Sequence, residues 1–275
     1  MEQFEKVLID TFVFDIDGTL VDESLLLSEK NKYALNILNK KGFRIILASG
    51  RMLKAVKKFM KEQLGFLSPC ISYNGSILWD PSRGILSKTL IEPKIATEVL
   101  KFLRKKCIHR QVYVDDILYV EEDNDYVKNY CERSNIDYVV VEDLIELVDK
   151  KGGSIKLLAI AYEEELNDIQ KEAKNLFGTQ LEIFKSFPTY LDFVPKGINK
   201  GTGLKKLSEF LDFSLKKTMA FGDNENDFEM LNEVGHPIAI GNASERLVKI
   251  SKIHEENINE GVYNVIKKTL PELLD

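Results

Sequence analysis

The stretch Phe12-Val13-Phe14-Asp15-Ile16-Asp17-Gly18-Thr19-Leu20 decides how this chain is read. Consecutive apolar residues run without alternation into two carboxylates and a glycine. That is the pattern of a strand buried on both faces that stops at a polar turn. Val7-Leu8-Ile9 and Asp10-Thr11 extend the same run towards the N-terminus. Asp-Gly is a common turn pair, so the acidic end alone is compatible with a solvated turn. A calcium loop is excluded, because a strand leads straight into the acidic residues and no bidentate Glu stands at the required later position.

Outward from this stretch the pattern repeats. Ser28 to Lys41 carries Tyr33, Leu35, Ile37 and Leu38 near helical spacing, with Ser28 as N-cap and Gly42 as stop. Phe43 to Ala48 is a second compact apolar run, closed by Ser49-Gly50-Arg51. Met52 to Leu64 predicts another helix, ended by Gly65. Cys70-Ile71-Ser72-Tyr73 predicts a third strand before the turn residues Asn74-Gly75. This β-α-β-α-β order points to a parallel sheet with helices on its faces.

Between about Pro81 and Pro188 charge is denser. Strand-like pieces (Gln111 to Val114, Ile117 to Val120, Ile155 to Tyr162) alternate with amphipathic helices at Ile95 to Lys106 and Glu163 to Phe177, and Asp115-Asp116 predicts a hairpin turn. The core texture then resumes with a helix from Lys200 to Leu211, a strand from Thr218 to Phe221 ending in Gly222-Asp223, and short strands at Pro237 to Ile240 and Ser251 to His254. The expected fold class is α/β: a Rossmann-like parallel-sheet core formed by residues 1–81 and 189–275, with an inserted α/β domain at 82–188.

Composition narrows the partners. The 275 residues are 44% apolar and 30% charged, which excludes a disordered or collagen-like chain. Lys and Arg total 38 against 44 Asp and Glu, a net charge of -6. Nucleic acid and anionic membrane surfaces demand positive fields and are not expected partners, whereas a small phosphorylated molecule can be met by one Lys and one metal ion. Cys70, Cys107 and Cys131 have no metal-ligand spacing, and their odd number fits free thiols in a reducing compartment. No apolar run is long enough to span a membrane, and Met1-Glu2-Gln3 lacks the basic start of a signal peptide, so a soluble cytoplasmic chain is expected. The oligomeric state stays open.

In sheets of this type ligands bind beyond the carboxyl ends of the strands. Those ends carry Asp15 and Asp17, Ser49, and Asp223 with Asn226 and Asp227. Carboxylates converging there would repel one another unless a cation sits among them, and an all-oxygen set favours Mg²⁺.

Four ordered segments, Phe14-Asp15-Ile16-Asp17-Gly18-Thr19-Leu20, Ala48-Ser49-Gly50-Arg51, Lys200, and Gly222-Asp223-Asn224-Glu225-Asn226-Asp227, resemble the motifs of the haloacid dehalogenase (HAD) superfamily. Tyr73-Asn74-Gly75, Ala239-Ile240-Gly241-Asn242-Ala243 and Glu260-Gly261-Val262 resemble its Cof-type phosphatase branch, which has a large α/β cap between the second and third motifs. Ser49 stands where Thr is commoner, and keeps the hydroxyl; Ile240 replaces a frequent Met. The resemblance implies a Mg²⁺-dependent phosphatase acting on small phosphorylated metabolites, sugar phosphates or similar, through an aspartyl-phosphate. Asp15 would be the nucleophile and Asp17 the general acid and then base. Asp15, Asp17 and Asp223 would hold the metal, with Asp17 also offering its backbone carbonyl. Ile16 and Gly50 through their amides, Ser49, Lys200 and Asn226 would bind phosphate, and Asp227 would act as a water-mediated support. A phosphosugar mutase shares this core and is the alternative, followed by a non-catalytic phosphate-binding protein. The latter conflicts with the presence of both Asp15 and Asp17.

Other features read as structural. Gly201-Thr202-Gly203 is a helix start, since it follows no strand and lacks the third glycine of a dinucleotide fingerprint. Lys101, Arg104, Lys105, Lys106 and Arg110 form a solvated helix face. His109, His236 and His254 form no triad or zinc spacing, and Trp79 is read as packing.

Overall fold

The computed structural model describes residues 9–274, so the Val7-Leu8 part of the first apolar run and the Met1-Glu2-Gln3 start lie outside the described residues. The chain divides into two compact units, Met1–Ser87 with Asn199–Asp275, and Lys88–Ile198.

The first unit begins with β1 (Thr11–Phe14), α1 (Glu29–Lys40), β2 (Arg44–Ala48), α2 (Leu53–Phe59), β3 (Cys70–Ser72), β4 (Ile77–Asp80) and β5 (Gly84–Lys88). The second contains α3 (Pro93–Lys105), β6 (His109–Val114), β7 (Ile117–Val120), α4 (Asp125–Ser134), β8 (Tyr138–Val140), α5 (Leu144–Lys151), β9 (Lys156–Ile160), α6 (Glu163–Phe177), β10 (Leu181–Phe187) and β11 (Tyr190–Pro195). The chain returns to the first unit through α7 (Lys200–Leu211), β12 (Thr218–Gly222), α8 (Phe228–Glu233), β13 (His236–Ile240), α9 (Glu245–Ile250), β14 (Ile253–Glu255) and α10 (Ile258–Thr269).

The first unit is an eight-stranded sheet in the order β14-β13-β12-β1-β2-β3-β4-β5. From β14 to β3 every neighbour is parallel, and β4 turns back antiparallel on β3. The middle strands are buried throughout, as an α/β sheet covered on both faces requires. Ser28 caps α1 by accepting from the Asn31 amide. The stretch read as a helix to Leu64 is α-helical to Phe59 and then widens into a π-turn over Met60–Leu64, closed by left-handed Gly65.

The second unit is a six-stranded sheet in the order β10-β11-β9-β6-β7-β8. Asp115 and Asp116 form the β6–β7 turn, both at positive φ (50° and 61°), as a tight hairpin demands. One face of the sheet packs an apolar core against Val99, Leu103, Val148, Leu166 and Ile169 of α3, α5 and α6. The units divide later than the composition shift at Pro81 and Pro188. β4 and β5 still extend the first sheet, and the β10–β11 hairpin belongs to the second.

Candidate active site

Register brings the acidic residues together. Phe14 pairs with Phe221 and with Leu47, so the residues just past β1, β12 and β2 end level at one edge of the sheet. The Asp15 amide donates to the Phe221 carbonyl at 3.0 Å, one residue beyond the ladder. Asp15 is thereby set beside the Asp223 loop and Ser49.

Lys200 occupies the first turn of α7, whose start is fixed by a capping box between Asn199 and Thr202. A lone lysine there opposes the helix dipole. Its ammonium is buried and donates to Asp15 Oδ1 at 2.5 Å and to Asp227 Oδ1 at 2.7 Å, so two carboxylates offset that penalty.

Asp227 is fully buried. Its Oδ2 accepts from the amides of Asp223 and Asn224, each at 3.2 Å. A Cβ at Gly222 would lie 2.6 Å from Asp227 Cβ, so the loop closes on this carboxylate only with glycine there. Asp223 accepts from the Thr19 hydroxyl at 2.7 Å. Gly18 sits at φ +90° with its Cα against that carboxylate, and a Cβ would come within 2.2 Å of Asp223 Oδ2.

Asp15, Asp223 and Asp227 offer oxygens that all lie within 4.8 Å of one another. The Lys200 ammonium touches two of the three, Asp15 and Asp227, so the acidic groups outnumber the cation in a largely buried site. Burial and the neighbouring carboxylates hold the Asp15 carboxyl well above its ordinary range, against the opposing pull of Lys200. Burial, with Asp227 next, pushes Asp223 up to about 6. The two carboxylates raise Lys200 although burial alone would lower it. A hard divalent cation fits this oxygen set and this charge.

The side chain of Asp17 is absent from the cluster. It is exposed and paired with Arg51, whose Nε donates to Oδ2 at 2.9 Å and Nη2 to Oδ1 at 2.5 Å. Asp227 touches Lys200 directly and lies in the carboxylate group. A spacing of four residues carries no signal of this, because the Asn224-capped turn Glu225–Asp227 brings the carboxylate back against Gly222.

Ser49 is buried, and its hydroxyl oxygen accepts from the Arg51 amide at 3.1 Å, a bond that leaves the hydroxyl hydrogen available to donate. Ile16 has a fully buried side chain, and its carbonyl accepts from the amides of Leu20 and Val21, both at 3.0 Å. Asn226 donates to Asn74 Oδ1 at 3.2 Å. Asn74, which the sequence reading places in a turn and in the Tyr73-Asn74-Gly75 resemblance to the Cof-type branch without giving it a role, sits at φ 54° with its amide on the Ser49 carbonyl (3.1 Å). Its side chain lies over Gly50, where a Cβ would meet it at 3.2 Å. Asn74 therefore ties Ser49 and Gly50 to Asn226. The advance signals were the Asn-Gly turn pair and the branch resemblance of Tyr73-Asn74-Gly75.

Three of the five basic residues read as a solvated helix face are paired with acids. Arg104 pairs with Glu121 and Asp143, Arg110 with Glu121, and Lys106 with Glu172. Trp79 is buried on β4 with Lys57 over its ring at 4.8 Å. No described helix is long and apolar enough to cross a membrane.

Comparison with known proteins agrees with this architecture. A 5-amino-6-(5-phospho-D-ribitylamino)uracil phosphatase of Bacillus subtilis is 28% identical, over 96% of this chain and 97% of the relative. An HMP-PP phosphatase of Cronobacter sakazakii is 28% identical, over 86% of this chain and 85% of its own. The crystal structure of a Thermotoga maritima protein, TM0651, superposes with a TM-score of 0.88 at 37% identity, covering 94% of this chain and 97% of that one. The family model of the haloacid dehalogenase-like hydrolases matches residues 12–266, from the strand that carries Asp15 to the last long helix, and the chain belongs to that family of hydrolases.

Proposed function

We propose that the protein is a Mg²⁺-dependent phosphatase that hydrolyses small phosphorylated metabolites, sugar phosphates or similar, through an aspartyl-phosphate on Asp15. The observation that carries this reading is the buried Lys200 ammonium set 2.5 Å from Asp15 within a cluster of three carboxylates. Two relatives over most of the chain's length are named phosphatases of small phosphorylated compounds, which supports the same reading.

A phosphate monoester carries negative charge and resists attack by an anionic nucleophile. Asp15 lies at the strand end where its carboxylate can attack phosphorus in line. Lys200 offsets charge on the transferring group, and Ser49, the Ile16 and Gly50 amides and Asn226 hold its oxygens. Asp15 and Asp223 would hold Mg²⁺, with Asp227 in the same oxygen set and Asp17 contributing through its main chain. When bound, the ion supplies positive charge that screens nucleophile from substrate. Asp17 gives a proton to the leaving oxygen and later takes one from water.

The test is phosphate release from an aryl phosphate with Mg²⁺ and with excess chelator. Release that needs the ion and vanishes in Asp15→Asn supports the proposal; metal-independent turnover, or full activity in Asp15→Asn, overturns it. Isomerised sugar phosphate in place of free phosphate would identify a mutase.

A further inference from the structure

We infer that Arg51 is the positioning residue for Asp17: its guanidinium fork orients the carboxylate that exchanges a proton with the leaving oxygen and with water. The inference rests on the phosphatase reading above. Asp17 lies on a tight loop closed by the Gly18 amide on the Val21 carbonyl (2.8 Å), and its side chain is 48% exposed. A short carboxylate in that setting rotates freely unless something holds it. The contacts at 2.9 and 2.5 Å engage both of its oxygens with two different nitrogens of one planar group, which fixes the carboxylate plane as well as its position.

Arg51 is itself held. Its amide donates to Ser49 Oγ at 3.1 Å and its carbonyl accepts from the Tyr73 amide at 3.0 Å. Its guanidinium carbon lies 5.7 Å from the centre of the Phe59 ring. The fork therefore projects from a backbone pinned to the β2 and β3 ends, and it transmits their position to the loop after β1. Each carboxylate oxygen has two lone pairs; the fork takes one on each and leaves one on each open to a proton.

In the first half-reaction an Asp15 oxygen bonds to phosphorus as the bond from phosphorus to the leaving oxygen breaks, and that oxygen takes the proton of Asp17. In the second, water bonds to phosphorus, the bond from phosphorus to Asp15 breaks, and the water's proton goes to Asp17. Both residues end as they began. An aryl oxide leaves as a stable anion and needs the Asp17 proton little, whereas an alkoxide needs it greatly.

The experiment measures kcat/KM with Mg²⁺ for p-nitrophenyl phosphate and for glycerol phosphate, in the wild type, Arg51→Met and Arg51→Lys, with inhibition by inorganic phosphate alongside. Arg51→Met is expected to lose roughly a hundredfold on the alkyl ester and less than about tenfold on the aryl ester. Phosphate inhibition should stay within about threefold of wild type. Arg51→Lys keeps the charge without the fork and should recover only part of the alkyl loss. Equal losses on both esters, a matching loss of phosphate inhibition, or a gain in turnover would overturn the inference. If Arg51→Met does not fold, the same ratio in Arg51→Lys decides. A wild type inactive on both esters sinks the phosphatase reading; a wild type active on both, with equal losses in the variants, sinks this inference alone.

Discussion

Lys200 Nζ lies 2.5 Å from Asp15 Oδ1 and 2.7 Å from Asp227 Oδ1, so one buried ammonium joins residues 185 and 27 positions away along the chain. Removing it leaves two carboxylates facing each other without a cation. Lys200→Met is expected to cut turnover on every phosphate ester by about 10²- to 10³-fold, the range for losing one preorganised charge partner. It should also lower thermal stability, because truncating one member of a buried pair strands the other. Steady-state kinetics on several esters with a melting curve checks both; a loss confined to one ester would contradict the role.

Mg²⁺ should raise the melting temperature of the wild type, since a ligand that binds only the folded state stabilises it by mass action, about 2.7 kcal/mol at a hundredfold excess over Kd. Chelator should reverse the shift. Asp223→Asn, which removes one charge from the carboxylate cluster, should shift less at the same ion concentration.

Asn74→Ala removes the acceptor for Asn226 and the side chain over Gly50. Turnover should fall about tenfold, as expected for a supporting hydrogen bond rather than a reacting group, and stability by about 1 kcal/mol. Asn74→Asp, which keeps an acceptor of the same shape, should retain more activity than Asn74→Ala.

Acid should weaken the fold through His109. Burial pushes its imidazole down to about 4, and its ring nitrogens meet the side-chain amides of Gln111 and Asn124 at 3.2 Å. Above about pH 6.5 the ring is neutral in folded and unfolded chains alike. Between 6.5 and 4 the unfolded chain takes up a proton that the folded one refuses, so stability falls as pH falls. The full loss is about 3 kcal/mol at 1.36 kcal/mol per pKa unit. Urea unfolding at pH 7 and pH 4.5 should show a smaller pH dependence in His109→Gln than in the wild type.

Lys156 and Asp192 form a buried ion pair between adjacent strands of the second sheet. Lys156→Met alone should cost about 3–5 kcal/mol by stranding Asp192, whereas Lys156→Met with Asp192→Leu should recover most of it. Denaturant titration of the single and double variants measures the difference.

How much of this was legible in the sequence follows from the range of each interaction. Periodicity and end signals depend on near neighbours, so Glu163–Phe177, Lys200–Leu211, the Ser28 cap and the Asp115-Asp116 turn stand where the residues place them. The apolar strand running into Asp15 likewise marked both the sheet and the end at which the carboxylates gather. The short helices α8 and α9 and the hairpin of β10 and β11 have weak or mixed patterns, and packing against a sheet formed them.

At the site, the sequence by itself determined which side chains are available: carboxylates at strand ends, a hydroxyl after β2, a lysine at a helix start. Only the tertiary structure decided their partners. Parallel register set Asp15 beside the Asp223 loop, the Asn224-capped turn of that loop carried Asp227 onto Lys200, and Asp17 paired with Arg51 outside the carboxylate cluster. Such pairings join residues tens to hundreds of positions apart, through distances and burial that exist only once the sheet has formed.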